Sequence, residues 1–351
     1  MTTAQMENSL HTEVIRLKEH LFGFVNVHLL NTGLELGLFE ELRNAGNVGL
    51  TVAELAQRKK LHEPYLSVWC RCAYGCGYLD MPETERFCLA PQMAAILADT
   101  QHPAYMGHML RLFATYCSLD FLDHTEYLQT GAIFPVGAHG EGFTKLLAQN
   151  GITKGLKFLE LVIPQVPHIA AMLHRGATIL DVGCGGGTFM IALARAYPSC
   201  EFVGIDSDLN TVELADYEVA SAGVSERIQV HHGEAEAIEF TNRFDVIFMN
   251  SVLREIRSHL QPRVLEHCRA ALKPGGTMLI SDFSLPEASH DLRDPAHRPA
   301  LMDLCVEMTW GHQLQTQREQ LTLLTQAGFV NVKSQPLGDN VYTLLCGERP
   351  R

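Results

Sequence analysis

Hydrophobic positions along this chain recur with two different periods, and the change falls near residue 175. Before it, apolar residues are spaced by three and four. Leu10, Val14, Leu17, Leu21, Val25 and Leu29 line one face of a long amphipathic helix. Thr51-Val-Ala-Glu54 has the form of a capping box and predicts a helix start with Leu55 turned inward. A second helix is predicted over about 62–77, followed by two short strands, Tyr78-Leu-Asp80 and Arg86-Phe-Cys-Leu89. A glycine-rich loop runs from Gly131 to Gly142 and leads into helical stretches at 143–149 and about 155–173.

After residue 175 short β-branched runs alternate with helical segments. Strands are predicted at 178–181, 201–205, 227–231, 244–249 and 277–282. Helices are predicted at 188–197, 209–222, 259–272, 299–309 and 317–327. Such alternation predicts a parallel sheet with helices on both faces. Two last strands, 330–334 and 341–346, are joined by a short loop, so they form an antiparallel hairpin at one side of that sheet.

Composition narrows what this layout can do. Of 351 residues 46% are hydrophobic and 19% charged, which suits a large core and argues against disorder. The net charge of −13 argues against a nucleic-acid partner, whose affinity would come from neutralising phosphates. The helix predicted at 62–77 carries Arg71 as its only basic residue, too few for a recognition helix, so its apolar surface is expected to pack within a domain or a dimer. No basic region precedes an apolar run at the N-terminus, and Asn26, His28, Asn31 and Glu35 interrupt the most apolar early stretch. Neither a signal peptide, a membrane span nor a membrane partner is expected. The ten cysteines are read as mostly reduced thiols of a cytoplasmic protein.

The chemistry concentrates in Ile179-Leu-Asp-Val-Gly-Cys-Gly-Gly-Gly-Thr188. A buried strand runs into Asp181-x-Gly183-x-Gly185-x-Gly187 and then into a helix. Glycines let the chain turn tightly and let a ligand approach the backbone at the end of the strand. The spacing is not the dinucleotide fingerprint: its third position falls on Thr188 or Met190. Asp206 ends the next strand, where a carboxylate can accept hydrogen bonds from both hydroxyls of a ribose. The alternative is that Asp206 only caps the following helix.

With these residues in place, the second half resembles the class I S-adenosylmethionine-dependent methyltransferases. The similarity rests on Asp181 to Gly187, Asp206, Gly233-Glu234-Ala235, Phe244-Asp-Val-Ile-Phe-Met-Asn250 and Leu272-Lys-Pro-Gly-Gly-Thr277. It implies a Rossmann-like seven-stranded α/β sheet of order 3-2-1-4-5-7-6, strand seven antiparallel. It also implies a cofactor site. Asp181, Gly183, Gly185 and Gly187 would face the methionine end, and Asp206 with Ser207 the ribose. Glu234 or Ala235 would face the adenine, and Asn250 and Ser251 the reacting methyl. The first half is similar to the winged-helix-like dimerisation domain of small-molecule O-methyltransferases, through 34–39, 50–56 and 87–91. The resemblance therefore implies residues 1–110 as a dimerisation domain, 111–174 as a helical linker and substrate lid, and 175–351 as the cofactor domain. It implies a homodimer that methylates a small molecule of secondary metabolism and releases S-adenosylhomocysteine.

One position departs from that group. Where its members place a catalytic histidine, this chain reads Val252-Leu-Arg-Glu-Ile256. A guanidinium cannot be a general base, but Arg254 could hold a substrate carboxylate bidentately. Glu255 could take the proton if burial raises its pKa. Arg254 and Glu255 are thus the candidate catalytic residues, and an anionic or carbonyl-bearing acceptor is expected. A solvated helix start is the plainer alternative. Two rival functions stay open: an S-adenosylmethionine enzyme that does not methylate, and an S-adenosylmethionine-binding winged-helix regulator. No metal site is expected. Cys70, Cys72 and Cys76 read as core cysteines, His231 and His232 point to opposite faces, and His290, His297 and His312 read as surface or packing residues, a base or metal role being the alternative.

Overall fold

The structure, a computed structural model, describes residues 3–337 and 342–351. The chain divides into two compact units, Met1–Ser118 and Leu119–Arg351.

The first unit begins with the expected long helix, α1 (Thr3–Glu35), followed by α2 (Leu38–Ala45), β1 (Leu50–Thr51), α3 (Val52–Lys59) and α4 (Glu63–Gly75). The hairpin β2 (Leu79–Glu83) and β3 (Arg86–Leu89) closes a small sheet of order β1-β3-β2, and α5 (Gly107–Leu112) follows. The capping box is formed: Thr51 N donates to Glu54 Oε2 at 2.8 Å and Glu54 N to Thr51 Oγ1 at 3.2 Å. Helix α4 buries Leu66, Trp69, Cys70 and Ala73 and leaves Tyr65, Val68 and Tyr74 exposed. Trp69 anchors it to α1 by donating its indole N–H to Leu29 O at 2.9 Å. Gly33 permits that approach: a Cβ there would stand 2.6 Å from both Trp69 and Phe39. The outer stretch of α1 leaves Leu10, Leu17, Leu21, Phe22, Phe24 and Val25 exposed.

In the second unit a helical turn, α6 (Ser118–Asp120), leads to α7 (His124–Thr130), α8 (Glu141–Lys157) and α9 (Pro167–Arg175). The expected gap between helices at 150–154 is not there. Gly151 and Gly155 lie within α8 and serve packing: a Cβ on Gly151 would meet Thr188 Oγ1 at 2.5 Å, and one on Gly155 would touch Ala192 at 3.4 Å. The break falls instead at 163–166, where Pro164 and Pro167 stop the helix.

Then come β4 (Thr178–Val182), α10 (Thr188–Ala196), β5 (Glu201–Asp206), α11 (Leu209–Ser221), β6 (Ile228–His232), β7 (Phe244–Asn250), α12 (Gln261–Ala271), β8 (Leu272–Phe283), α13 (Arg298–Trp310), α14 (Gln317–Gln326), β9 (Val330–Leu337) and β10 (Tyr342–Glu348). The seven strands lie in the order β6-β5-β4-β7-β8-β10-β9. Counted from β4, that is 3-2-1-4-5-7-6. Strand β10 runs antiparallel to β8 and β9, as the terminal hairpin predicted, although 338–341 of its connection lie outside the described residues. Strand β8 begins five residues earlier than expected because Leu272 already pairs with Phe244. Alternate residues fill a core on each face: Ile179, Val246 and Phe248 on one, Leu180, Ile247 and Met249 on the other. Two buried faces hold the strands rigid and place the ends of β4, β5 and β7 in one row.

Candidate functional site

The row begins at Gly183, whose φ of +71° turns the chain off β4. Gly183 N and Cys184 N both donate to Ile205 O, at 2.8 and 3.1 Å, which ties the loop to β5. A Cβ on Gly183 would stand 2.4 Å from Val252 Cγ2, so no larger residue fits. Gly187, also at positive φ, precedes the first turn of α10. Gly185 differs: its φ is +52° and nothing lies within 4 Å of where a Cβ would be. It presents open backbone to a ligand.

Asp206 ends β5 with one carboxylate oxygen accepting from Gly185 N at 2.9 Å and the other from Asp208 N at 3.1 Å. The capping alternative falls away, because α11 is capped by Asp208. Asp206 thus braces the glycine loop and keeps a half-buried carboxylate at its rim. Burial raises its pKa against the opposing backbone hydrogen bonds. Ser207 follows on the surface, and its carbonyl oxygen lies 3.1 Å from His232 Nε2. Gly233 N donates to Asp206 O at 2.9 Å, which brings exposed Glu234 and half-buried Ala235 to the same edge. Asp181 lies beneath, 2% exposed, and burial followed by repulsion from Asp206 pushes its pKa up to about 8. At neutral pH it is largely a neutral acid, which a ligand cation would ionise. A nucleoside carrying a positive charge fits this edge.

On the other side, Asn250 ends β7 and Ser251 takes φ +62°, a left-handed conformation uncommon for serine. Ser251 N is held by Ser281 O at 2.8 Å. Asn250 Oδ1 accepts from Ser281 Oγ at 2.8 Å and from Tyr342 OH at 3.0 Å, and Tyr342 OH also bonds Ser251 Oγ. Burial pushes the Tyr342 phenol to about 12, so it remains a donor.

The turn after Ser251 carries Arg254 and Glu255. Arg254 is 7% exposed, and its guanidinium is already engaged. Nη1 donates to Asp282, and Nε lies 2.9 Å from Glu307 Oε1 and 3.2 Å from Asp303 Oδ2. Nη1 and Nε of Arg254 thus hold the protein's own carboxylates, where the sequence reading expected the guanidinium to stand ready for an acceptor. Burial opposes its charge, but Asp282, Glu307 and Asp303 together raise its pKa. Burial outweighs Arg254 at Asp282, raised, and at Asp303, raised to about 6. At Glu307 the hydrogen bond from His312 and the charge of Arg254 overcome burial and lower the pKa.

Glu255 is exposed on the turn, and the surrounding protein, then Glu307, raises its pKa to about 7. Lys154 of α8 faces the same group, its pKa lowered by burial and Arg254. Four carboxylates against two cations leave the cluster acidic. His312 Nδ1 sits 2.6 Å from Glu307 Oε2. Sequence reasoning did not find Asp282, Asp303, Glu307 or Lys154. The i, i+4 spacing of the two acids on α13 was their one legible signal.

A second histidine–carboxylate pair stands on the other side of Trp310 from His312: His139 Nε2 is 3.0 Å from each oxygen of Asp120, with the imidazole stacked on Phe143. His290 is exposed beside Asp291, and His297 is half-buried. Cys76 Sγ pairs with Asn26 at 3.0 Å, Cys70 is buried and Cys72 exposed. Among the described residues no group of three or more His, Cys, Asp or Glu is arranged to hold a metal ion.

Residues 173–328 match a family described as a methyltransferase domain. The chain is 25% identical to 3-hydroxy-5-methyl-1-naphthoate 3-O-methyltransferase of Streptomyces sahachiroi, over 89% of this chain and 88% of the relative. It is 27% identical to demethylmenaquinone methyltransferase of Anoxybacillus flavithermus, over 51% of this chain and 80% of the relative. Among solved structures, human N-acetylserotonin methyltransferase in complex with S-adenosylmethionine matches with a TM-score of 0.78 at 18% identity, over 97% of this chain and 98% of that one. The mitomycin 7-O-methyltransferase MmcR matches at 0.73 and 20%, over 99% and 100%.

Proposed function

We propose that this chain, which carries a methyltransferase domain over residues 173–328, transfers a methyl group from S-adenosylmethionine to an uncharged, hydroxyl-bearing aromatic small molecule. The single observation that carries this is the acidic cluster at the end of β7. An anionic acceptor at this end would meet exposed Glu255 and half-buried Asp303, while Arg254 is already paired with buried Asp282 and Glu307. A neutral hydroxyl or carbonyl group meets acceptors and a proton sink instead. The naphthoate 3-O-methyltransferase relative supports a hydroxyl on a fused aromatic ring as the scaffold; the carboxylate in that relative's acceptor is the feature from which the acidic cluster sets this chain apart.

The residues divide the work. Gly185, Asp206, Ser207, Glu234 and Ala235 would hold the nucleoside, and Asp181 the cationic end. Bound there, S-adenosylmethionine supplies an electrophilic methyl group on a sulfonium. Asn250, Ser251 and Tyr342 form a rigid polar wall, and Ser251 is locked in its strained conformation by Ser281. The protein's contribution to rate is mainly the orientation of two reactants.

The first unit supports self-association. The exposed apolar row on α1, with Tyr65 and Val68 on α4, is a large hydrophobic patch of the kind that interfaces cover. A homodimer predicts a light-scattering mass near twice the 39.0 kDa of the chain, and a monomer mass at micromolar concentration contradicts it.

The acceptor class is tested by incubating the protein and S-adenosylmethionine with paired neutral naphthols and hydroxynaphthoates. Mass spectrometry should show methyl ethers of the neutral members and slower reaction of the anionic ones. Preference for the carboxylates overturns the proposal.

A further inference from the structure

We propose that His312, held by Glu307, is the catalytic base that receives the acceptor proton in place of the histidine missing at position 254. This rests on the hydroxyl-acceptor reading above.

The local geometry has three parts. His312 Nδ1 lies 2.6 Å from Glu307 Oε2, so the imidazole donates its Nδ1–H to a carboxylate that is 2% exposed. That hydrogen bond orients the ring and turns Nε2 away from Glu307, the arrangement by which a buried acid readies a histidine base. Glu307 is itself fixed, because its other oxygen accepts from Arg254 Nε at 2.9 Å and Arg254 is held in turn by Asp282. The backbone closes the unit, with His312 N donating to Glu307 O at 2.9 Å across Gly311 at φ +80°. The remaining ring nitrogen, Nε2, has no hydrogen-bond partner among the described residues and is not buried; the side chain is 18% exposed. It is a histidine with one nitrogen oriented by a buried carboxylate and the other open.

Its surroundings connect it to the site. His312 acts electrostatically on Glu255, on the turn that follows Ser251. The groups facing the dyad are Asp303 on α13, Arg254 and Glu255 on the turn, Asp282 on β8 and Lys154 on α8. Arg254 is then a positioning residue acting through Glu307, which explains why a guanidinium occupies the departed position. In the step itself, the acceptor O–H bond breaks and its proton moves to His312 Nε2. The oxygen pair forms the bond to the methyl carbon, and the pair of the broken carbon–sulfur bond stays on sulfur.

Two readouts test the proposal. Diethyl pyrocarbonate acylates accessible, unprotonated imidazole nitrogens, and peptide mapping at pH 7 reports each histidine with exposed His290 as the reference. His312 should be labelled despite its partial burial, and in Glu307→Gln its labelling relative to His290 should change, because the carboxylate no longer orders and polarises the ring. No labelling of His312 in the unaltered protein, or no change in Glu307→Gln, overturns the dyad. The second readout is methylation of 2-naphthol. His312→Gln should lower kcat by roughly 10²- to 10⁴-fold, leave the KM for S-adenosylmethionine unchanged and remove the acid limb of the pH profile. Full activity in His312→Gln with loss in Glu255→Gln assigns the proton to Glu255 and refutes the proposal. If the unaltered protein methylates no neutral naphthol, the acceptor reading fails, while the labelling arm still decides whether the dyad exists.

Discussion

Replacing Arg254 by methionine should destabilise the protein far more than the loss of a substrate contact would. The guanidinium is 7% exposed and is the counter-charge for Asp282, 0% exposed, and Glu307, 2% exposed. Methionine fills similar space but leaves two buried carboxylates with one cation fewer. Removing one partner of a buried pair costs about 3–5 kcal/mol, since the partner is left as an uncompensated buried charge. For a cooperative unit of roughly 150–250 residues each kcal/mol lowers Tm by about 2–4 °C, so the fall should be on the order of 6–20 °C. The pH dependence identifies the cause. Asp303 is held at about 6 in the folded protein against an ordinary value of 3.8, even with Arg254 present. Without Arg254 the acids rise further. A carboxyl group whose folded pKa lies above its unfolded value binds more protons in the native state, so stability is gained as pH falls through that window. The deficit of Arg254→Met should therefore be largest near pH 8 and shrink towards pH 5. Differential scanning calorimetry at both values measures it. A variant within 2 °C of the parent at pH 8, or one whose deficit grows on acidification, would refute the assignment of Arg254 as an internal counter-charge.

Three further outcomes follow from the same geometry. Asp181→Asn should raise the Tm of the ligand-free protein at pH 8 but not at pH 4, because a folded pKa of about 8 makes the native carboxyl progressively unfavourable as pH rises from about 4; equal shifts at both pH values would contradict this. Calorimetry of S-adenosylmethionine binding at pH 7 in buffers of different ionisation enthalpy should show a proton released in the parent and none in Asp181→Asn. Gly183→Ala should abolish cofactor binding, since the added methyl group would stand 2.4 Å from Val252 at a φ of +71°, and an alanine variant with parental affinity would show that the loop can move aside.

What the sequence disclosed and what it hid divide along sequence distance. The glycine loop and Asp206 are legible because each belongs to a strand and the turn directly after it, and hydrophobic period locates strand ends. The strand order came from the resemblance to class I methyltransferases, while the residues themselves showed the alternation of strand and helix and the short loop that made β9 and β10 a hairpin. The helix break in 141–175 was misplaced because glycine reads as punctuation, whereas Gly151 and Gly155 provide room for α10. The acidic cluster was hidden because its members come from separate elements. Asp282 is 28 residues from Arg254 and Glu307 is 53, and they meet only because β8 lies beside β7 and α13 lies near the ends of both. An arginine seen alone invites an external anion. Seen beside its carboxylates, it is already neutralised.

Isothermal calorimetry of the full chain with S-adenosylmethionine and with NAD tests most directly whether the edge formed by Gly185, Asp206 and Asp181 holds the methyl donor. S-adenosylmethionine should bind with a Kd in the micromolar range, roughly −8 kcal/mol, NAD should not bind, and Asp206→Ala should lose about 1–3 kcal/mol. Heat from NAD and none from S-adenosylmethionine, or an Asp206→Ala protein with parental affinity, would contradict this.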